Sequence, residues 1–141
     1  MMFSNDRNTL RRMYVNAWRK RLQGLPLEAL EHLIADIIEI HPEYHALLGD
    51  EEQALAWEES AEQGMSNPFL HLGMHLALRE QVATDRPPGI HELYVKLVRK
   101  TGDIMESEHR MIACLLRALQ DAGANPPDER SYLECVRGKV S

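Results

Sequence analysis

Cysteine is scarce in this sequence, with two residues, Cys114 and Cys135, in a chain of 141. Two thiols cannot build the disulfide framework that holds many small secreted domains together. Both cysteines fall within apolar helical patterns, so we expect two buried thiols, with a Cys114–Cys135 bridge as the alternative. The reducing cytoplasm is therefore the simplest predicted location.

Long apolar runs and a leader segment are also missing. No run reaches the roughly 18 apolar residues that a membrane-spanning helix needs. Residues 1–12 are polar and charged, without the apolar region of a signal peptide. We therefore expect no membrane segment. The chain is 44% hydrophobic and 27% charged, which is typical of a globular protein, and its length suits a single domain over residues 1–141.

Lysine and arginine are absent from Leu22 to Leu78, where eleven acidic residues occur, whereas six such basic residues lie from Arg7 to Arg21. The formal net charge of −6 argues against nucleic-acid binding as the general role. The uneven charge has two interpretations. In the one we favour, the first helix lies against the acidic helices; in the other, it is a basic arm that contacts RNA or an acidic protein partner.

Strand-like alternation is nowhere sustained, whereas helical periodicity recurs along the chain. The sequence therefore predicts an all-α, single-domain bundle of five to six main helices, mainly antiparallel because the connections are short. These helices span about residues 6–22, 26–40, 67–83, 90–102, 103–123 and 128–136. Shorter helical pieces are predicted at 42–48 and 52–57, the second within an acidic, weakly patterned connection over residues 50–66.

The helix over residues 67–83 is predicted to be central. Asn67 is a good N-cap, and apolar residues occupy most of the circumference of the helix. His71 and His75 lie four residues apart, so that both imidazoles share one face and can bind one ion. Leu72, rather than a glutamate, follows His71, so the zinc-protease pattern is absent.

The helix over residues 103–123 adds two candidates. Glu108 lies in the middle of its apolar stripe, where a carboxylate is costly unless it is paired, protonated or bound to a metal. His109 lies at the edge of the stripe. Glu106 and His109 have the Glu-x-x-His spacing of di-iron bundles, but such bundles need two copies and one is clear here. The predicted metal ligands are His71, His75, His109 and Glu108.

Three further residues are additional metal-ligand candidates. Glu80 falls in the apolar sector of the 67–83 helix, where it would need a basic residue or a metal as partner. His41 extends the apolar stripe of the second helix and is expected inside, with a hydrogen-bonded core histidine as the alternative. His45 follows the helix break that Pro42 imposes.

Two functional hypotheses follow from these residues. In the first, the histidines and Glu108 bind a divalent metal ion, Zn²⁺, Mn²⁺ or Fe²⁺, and an open coordination position permits hydrolytic or oxidative chemistry. In the second, the same groups form a metal-free polar seam with Arg79 and Arg110 in a non-catalytic module that binds a protein partner. Homodimerisation fits either hypothesis, and only the first makes the protein a candidate enzyme.

Several short motifs are similar to those of a known family. They are Leu25-Pro26-Leu27-Glu28, His41-Pro42-Glu43-Tyr44-His45, Asn67-Pro68-Phe69-Leu70-His71, His75-Leu76-Ala77-Leu78-Arg79-Glu80-Gln81, Glu108-His109-Arg110-Met111 and Tyr132-Leu133-Glu134-Cys135. On these motifs the chain resembles, over almost its whole length, the proteobacterial family called domain of unknown function 1841. The resemblance implies a bacterial source and a single helical domain. It implies no activity and supplies no catalytic residues.

Overall fold

A computed structural model of the protein describes residues 2–58 and 67–141. Within these ranges the chain forms eight α-helices and one short 3-10 helix, Pro42–Tyr44, and no β-strand. The α-helices are α1 (Met2–Gln23), α2 (Ala29–Glu39), α3 (His45–Leu48), α4 (Glu51–Ala56), α5 (Pro68–Thr84), α6 (Ile90–Thr101), α7 (Ile104–Ala122) and α8 (Glu129–Val140). None of the helices described is both long enough and apolar enough to cross a membrane.

The all-α prediction is confirmed, but the predicted number of five to six helices is too low. The difference lies in the short helices α3 and α4, which were not counted among the main helices but coincide with the shorter pieces predicted at 42–48 and 52–57. Asp50 caps α4, because its side chain accepts a hydrogen bond from the backbone N–H of Gln53. The remainder of the acidic connection, residues 59–66, lies outside the described residues.

The chain divides into two compact units, Met1–Gly73 and Met74–Ser141, and the boundary falls inside α5. Each unit is described separately below. Folding as a single cooperative domain stays a prediction.

In the first unit, α1 packs against α2 and α4. The core side chains of α1 and α2 are Tyr14, Val15, Ala17, Trp18, Ile34, Ala35, Ile37 and Ile38. Basic side chains of α1 form ion pairs with acidic ones of α2 and α4: Lys20 with Glu31 (2.8 Å), Arg21 with Asp36 (2.7 Å) and Glu39 (3.2 Å), and Arg12 with Glu51 (3.8 Å). These pairs match the interpretation in which the first helix lies against the acidic helices.

Arg11 is a charged residue of α1 that is buried, with 2% of its surface exposed. Its Nη1 atom donates to the carbonyl oxygens of Ala54 (3.0 Å) and Trp57 (2.7 Å) at the C-terminal end of α4. The last carbonyl groups of a helix have no intrahelical donor, so Arg11 acts as a cap there. Its guanidinium carbon also lies 4.3 Å from the ring centroid of Phe69, which anchors the first turn of α5.

Part of the apolar pattern of α1 and α2 faces solvent rather than the core. Leu10, Leu30 and Leu33 are 50%, 49% and 40% exposed. The buried residues of α2 are concentrated in its second half, around Ile34 and Ile38. The apolar stripe of α2 is therefore longer than the surface that α1 covers.

In the second unit, α6, α7 and α8 pack against one another. Their buried side chains include Leu93, Leu97, Met111, Ile112, Leu115, Tyr132 and Val136. Asp103 caps α7 by accepting a hydrogen bond from the backbone N–H of Glu106. The hydroxyl of Tyr132 donates to Oε1 of Gln81 at 2.6 Å, which joins α8 to the C-terminal half of α5.

The expectation of two free thiols is wrong. Cys114 of α7 and Cys135 of α8 form a disulfide, and their Cα atoms lie 5.7 Å apart. Helical periodicity places each cysteine within its own helix but does not say which helices pack together. Because α7 and α8 do pack together, the two cysteines come within the distance that a disulfide spans. The cytoplasmic location, which was argued from free thiols, stays a prediction.

Candidate metal centre

Helix α5 carries two of the predicted metal ligands. The Oδ1 atom of Asn67 accepts hydrogen bonds from the backbone N–H groups of residues 69 and 70, at 3.0 and 3.2 Å. These groups have no intrahelical partner, so Asn67 is the N-cap that the sequence predicted. The helix then continues unbroken past His71 and His75, which places the two rings one turn apart on one face.

His71 lies against His41, which comes from the turn after α2. Their Nε2 atoms are 3.1 Å apart, and the two rings meet edge to face. His41 is 3% exposed, and its Nδ1 lies 2.7 Å from the carbonyl oxygen of Ile37. Because a carbonyl oxygen only accepts hydrogen bonds, Nδ1 of His41 carries the proton. In the neutral ring, Nε2 therefore presents its lone pair toward His71.

The sequence around His41 explains its orientation. Pro42 disfavours helical geometry at the preceding residue, and His41 has φ −124° and ψ 72°, outside the helical range. Tyr44, two residues after Pro42, stacks parallel to the His41 ring with the centroids 5.4 Å apart. The hydrogen bond to the Ile37 carbonyl and the stacking on the Tyr44 ring thus hold the His41 imidazole in one orientation.

His75 is fully buried and lies against Glu108 of α7. Its Nδ1 is 2.8 Å from Oε1 of Glu108. Arg79, one turn further along α5, holds the same carboxylate through Nε to Oε1 (3.3 Å) and Nη2 to Oε2 (3.2 Å). Since the Nδ1–H of His75 donates to the carboxylate, Nε2 is the atom through which His75 can coordinate a metal.

Glu108 is a stabilised anion in spite of its burial. Burial by itself raises the pKa of a carboxyl group, because it disfavours the charged form. The hydrogen bond from His75 and the charge and hydrogen bonds of Arg79 outweigh this effect and hold the pKa of Glu108 below its usual value. Near neutral pH the carboxylate is therefore ionised, and both of its oxygens are engaged.

His109 follows Glu108 on α7 and is exposed to solvent. Its ring centroid lies 5.0 Å from that of His75. His109 completes a group of four histidines in which one ring nitrogen of each lies within 4.8 Å of those of the others. The members are His41, His71, His75 and His109, and we call them the four-histidine group. Such a group could hold a metal ion.

The other candidates from the sequence occupy different positions. Glu108 lies beside His75 as its hydrogen-bond partner. His45 donates from Nε2 to the Ile38 carbonyl oxygen at 2.8 Å, and its ring packs on Trp18 with the centroids 4.4 Å apart. Glu80 is exposed, which contradicts its predicted inward position. Because α5 is apolar around most of its circumference, a helical wheel does not identify its buried side.

The polar seam is also visible in part. Arg79 holds Glu108, as that hypothesis predicted, whereas Arg110 pairs with Glu106 on the surface of α7 at 2.7 Å. Sequence reasoning gave no role to Tyr44, which stacks on His41. The sequence could have indicated this contact, because Tyr44 lies three residues after the inward-facing His41 and within the turn that Pro42 begins.

Over residues 2–58 and 67–141 the protein is therefore all-helical, and it carries a four-histidine group that could hold a metal ion. The chain belongs to the family described as Domain of unknown function (DUF1841), whose model matches residues 6–138. The resemblance seen in the sequence motifs is thereby confirmed. No curated protein and no solved structure matches the chain.

Proposed function

We propose that this protein binds one divalent transition-metal ion through the four-histidine group. The observation that carries the proposal is a hydrogen bond that each buried histidine of the group, His41 and His75, donates from Nδ1. His41 donates from Nδ1 to the Ile37 carbonyl, and His75 donates from Nδ1 to the Glu108 carboxylate. Histidines that bind metals usually donate the other ring N–H to a carbonyl or carboxylate, which fixes the ring and makes it a stronger ligand. Both residues are therefore prepared to bind through Nε2.

The nitrogen separations favour a tetrahedral ion. Zinc–nitrogen bonds of about 2.0–2.1 Å at tetrahedral angles place the ligand nitrogens about 3.3 Å apart. The Nε2 atoms of His41 and His71, at 3.1 Å, are close to this value. The group extends to separations of 4.8 Å, so at least one other ring must move by about 1 Å to complete the shell. His109 is exposed, and its ring has the most room to turn.

The donor set narrows the choice of ion. Neutral imidazoles suit Zn²⁺ and Fe²⁺, whereas Mn²⁺ prefers carboxylate, carbonyl and water oxygens. We therefore expect Zn²⁺ or Fe²⁺. Glu108 acts as a positioning residue rather than a ligand, because its oxygens hold His75 and Arg79.

The chemistry that the site supports depends on the coordination number of the ion. Four imidazoles complete a tetrahedral zinc shell, as in structural zinc sites. An iron ion with about six ligands would keep two positions for water, oxygen or a substrate. The exposed His109 marks the side from which such molecules enter. Metal binding is thus the proposed function, and catalysis is expected with iron.

Elemental analysis of the purified chain tests this proposal, after growth in medium supplemented with zinc and iron. We expect about one ion per chain. Less than about 0.2 ion per chain would instead support a metal-free polar seam in a non-catalytic interaction module. His75→Ala should abolish metal retention. The matched control is His32→Ala, since His32 is exposed on α2 and lies outside the group.

A further inference from the structure

A cavity of about 370 Å³ lies within the second unit, lined by residues of α5, α6 and the first turns of α7. Its wall contains Arg79 and Glu108, the pair that orients His75, but no member of the four-histidine group. Its volume lies in the lower part of the range for sites that bind small molecules. The proposed metal binding does not involve this cavity.

Most of the cavity wall is apolar. Leu78 contributes a fully buried side chain, Val82 lies one turn further along α5, and Ile104 is 54% exposed at the start of α7. A ligand in contact with these side chains would displace water from aliphatic surface, which favours a molecule with an apolar body.

Arg79 supplies a donor group to the same cavity. Glu108 engages its Nε and Nη2 atoms, and Nη1 makes no hydrogen bond to any residue in the part of the chain that the structure describes. The side chain is 24% exposed. A guanidinium with an unused edge is a strong donor to a carboxylate, because the bond is charge-assisted and the geometry is planar.

Two further polar groups line the cavity. The hydroxyl of Tyr94 has no hydrogen-bond partner among residues 2–58 and 67–141. His91 donates from Nδ1 to the carbonyl oxygen of Val82 at 3.1 Å, which holds its ring at the cavity wall. Together with Arg79, these groups can satisfy the oxygens of one small anionic head group.

The charge balance limits the anion to a single charge. Arg79 and Glu108 form an ion pair that is neutral as a whole, and both oxygens of Glu108 are occupied. A carboxylate can therefore approach the unused edge of Arg79 without facing a bare negative charge. A phosphate or a dicarboxylate would bring more negative charge than one shared guanidinium can match.

We propose that this cavity binds a small monocarboxylic acid with an apolar body. Its carboxylate accepts hydrogen bonds from Nη1 of Arg79 and the hydroxyl of Tyr94, and its body packs against Leu78 and Val82. This site goes beyond the proposed metal binding and does not require the ion. A ligand here touches Arg79, and through Arg79 it adjoins the carboxylate that orients His75.

Nuclear magnetic resonance titrations with phenylacetate and phenylacetamide test the proposal on the full chain, as purified and after chelation. Phenylacetate should shift the methyl resonances of Leu78, Val82 and Ile104 with a dissociation constant on the order of millimolar. Phenylacetamide, which has the same shape but no charge, should bind at least about tenfold more weakly. Equal affinity for the two probes, or shifts confined to other methyl groups, would overturn the proposal.

Variants separate this site from the metal centre. Val82→Phe should fill the cavity and abolish phenylacetate binding, while Leu119→Phe, at a position 41% exposed on α7, makes a similar change outside it. Tyr94→Phe should weaken phenylacetate several-fold while leaving phenylacetamide less affected. Metal content is measured on the same preparations. A Val82→Phe protein that binds phenylacetate like the parent chain refutes the acid site, whatever its metal content.

Discussion

The Nδ1 atom of His75 lies 2.8 Å from Oε1 of Glu108, and the two side chains are 0% and 2% exposed. A buried carboxylate destabilises the folded state unless hydrogen bonds or an opposite charge compensate for its lost hydration. Here the imidazole of His75 and the guanidinium of Arg79 do so. The same hydrogen bond fixes which nitrogen of His75 can bind a metal. In the proposed metal centre, Glu108 therefore orients His75 and does not itself bind the ion.

Glu108→Gln should lower metal affinity about 10- to 100-fold, the usual effect of mutating the hydrogen-bond partner of a metal-binding histidine. The amide keeps the shape of the side chain but loses its charge, so the fold should persist. Competition with a chromophoric chelator measures the affinity. The control is Glu106→Gln, since Glu106 is exposed on the same helix and pairs with Arg110. If both variants lose affinity equally, Glu108 has no special role in positioning His75.

His41 and His45 offer a second matched comparison, because both donate to backbone carbonyls at the end of α2 and one of them is in the four-histidine group. A ligand that binds the folded state raises the melting temperature in proportion to the logarithm of its concentration. We expect Zn²⁺ to stabilise the parent chain and the His45→Gln variant, but not the His41→Gln variant. Thermal melts with and without zinc measure this difference. Equal zinc stabilisation of both variants would remove His41 from the site.

Local sequence rules predicted the parts of this site that belong to a single helix. The spacing of His71 and His75 requires that they share a face of α5, and the apolar stripe of α2 indicates that His41 turns inward. The contact between His41 and His71 could not be predicted in this way. It joins residues 30 positions apart, and it depends on how the turn at Pro42 packs, which periodicity does not encode.

The same limit explains the errors. Glu80 was assigned to the inside because α5 is apolar on most sides, so its sequence pattern does not select one buried face. Cys114 and Cys135 each follow a helical stripe, but the packing of α7 on α8 decides that they pair. Periodicity describes one helix at a time, and these outcomes depend on which helices are neighbours.

The disulfide should contribute measurably to the stability of the second unit. It joins residues 21 positions apart, and closing a loop of that length in the unfolded chain stabilises a protein by about 3 kcal/mol in the chain-entropy model. Reduction should therefore lower the free energy of unfolding by about 2–4 kcal/mol in denaturant titrations. A Cys114→Ala, Cys135→Ala double variant serves as the control, because its unfolding should not respond to reductant. A parent chain that is equally insensitive would contradict a stabilising bridge.

Tyr132 should make the protein sensitive to alkaline pH. It is 4% exposed, its hydroxyl donates to Gln81 at 2.6 Å, and burial raises the pKa of the phenol well above its usual value. Since the folded-state pKa is the higher one, the stabilisation is complete below about pH 10 and is lost as pH rises toward the folded-state pKa. The free energy of unfolding should fall there by up to about 1.4 kcal/mol per pH unit from this residue.

Tyr132→Phe should cost about 1 kcal/mol at neutral pH through the lost hydrogen bond, and it should flatten the alkaline decline. Urea titrations at neutral and alkaline pH measure both effects, and an unchanged alkaline slope in the variant would assign the decline to other groups.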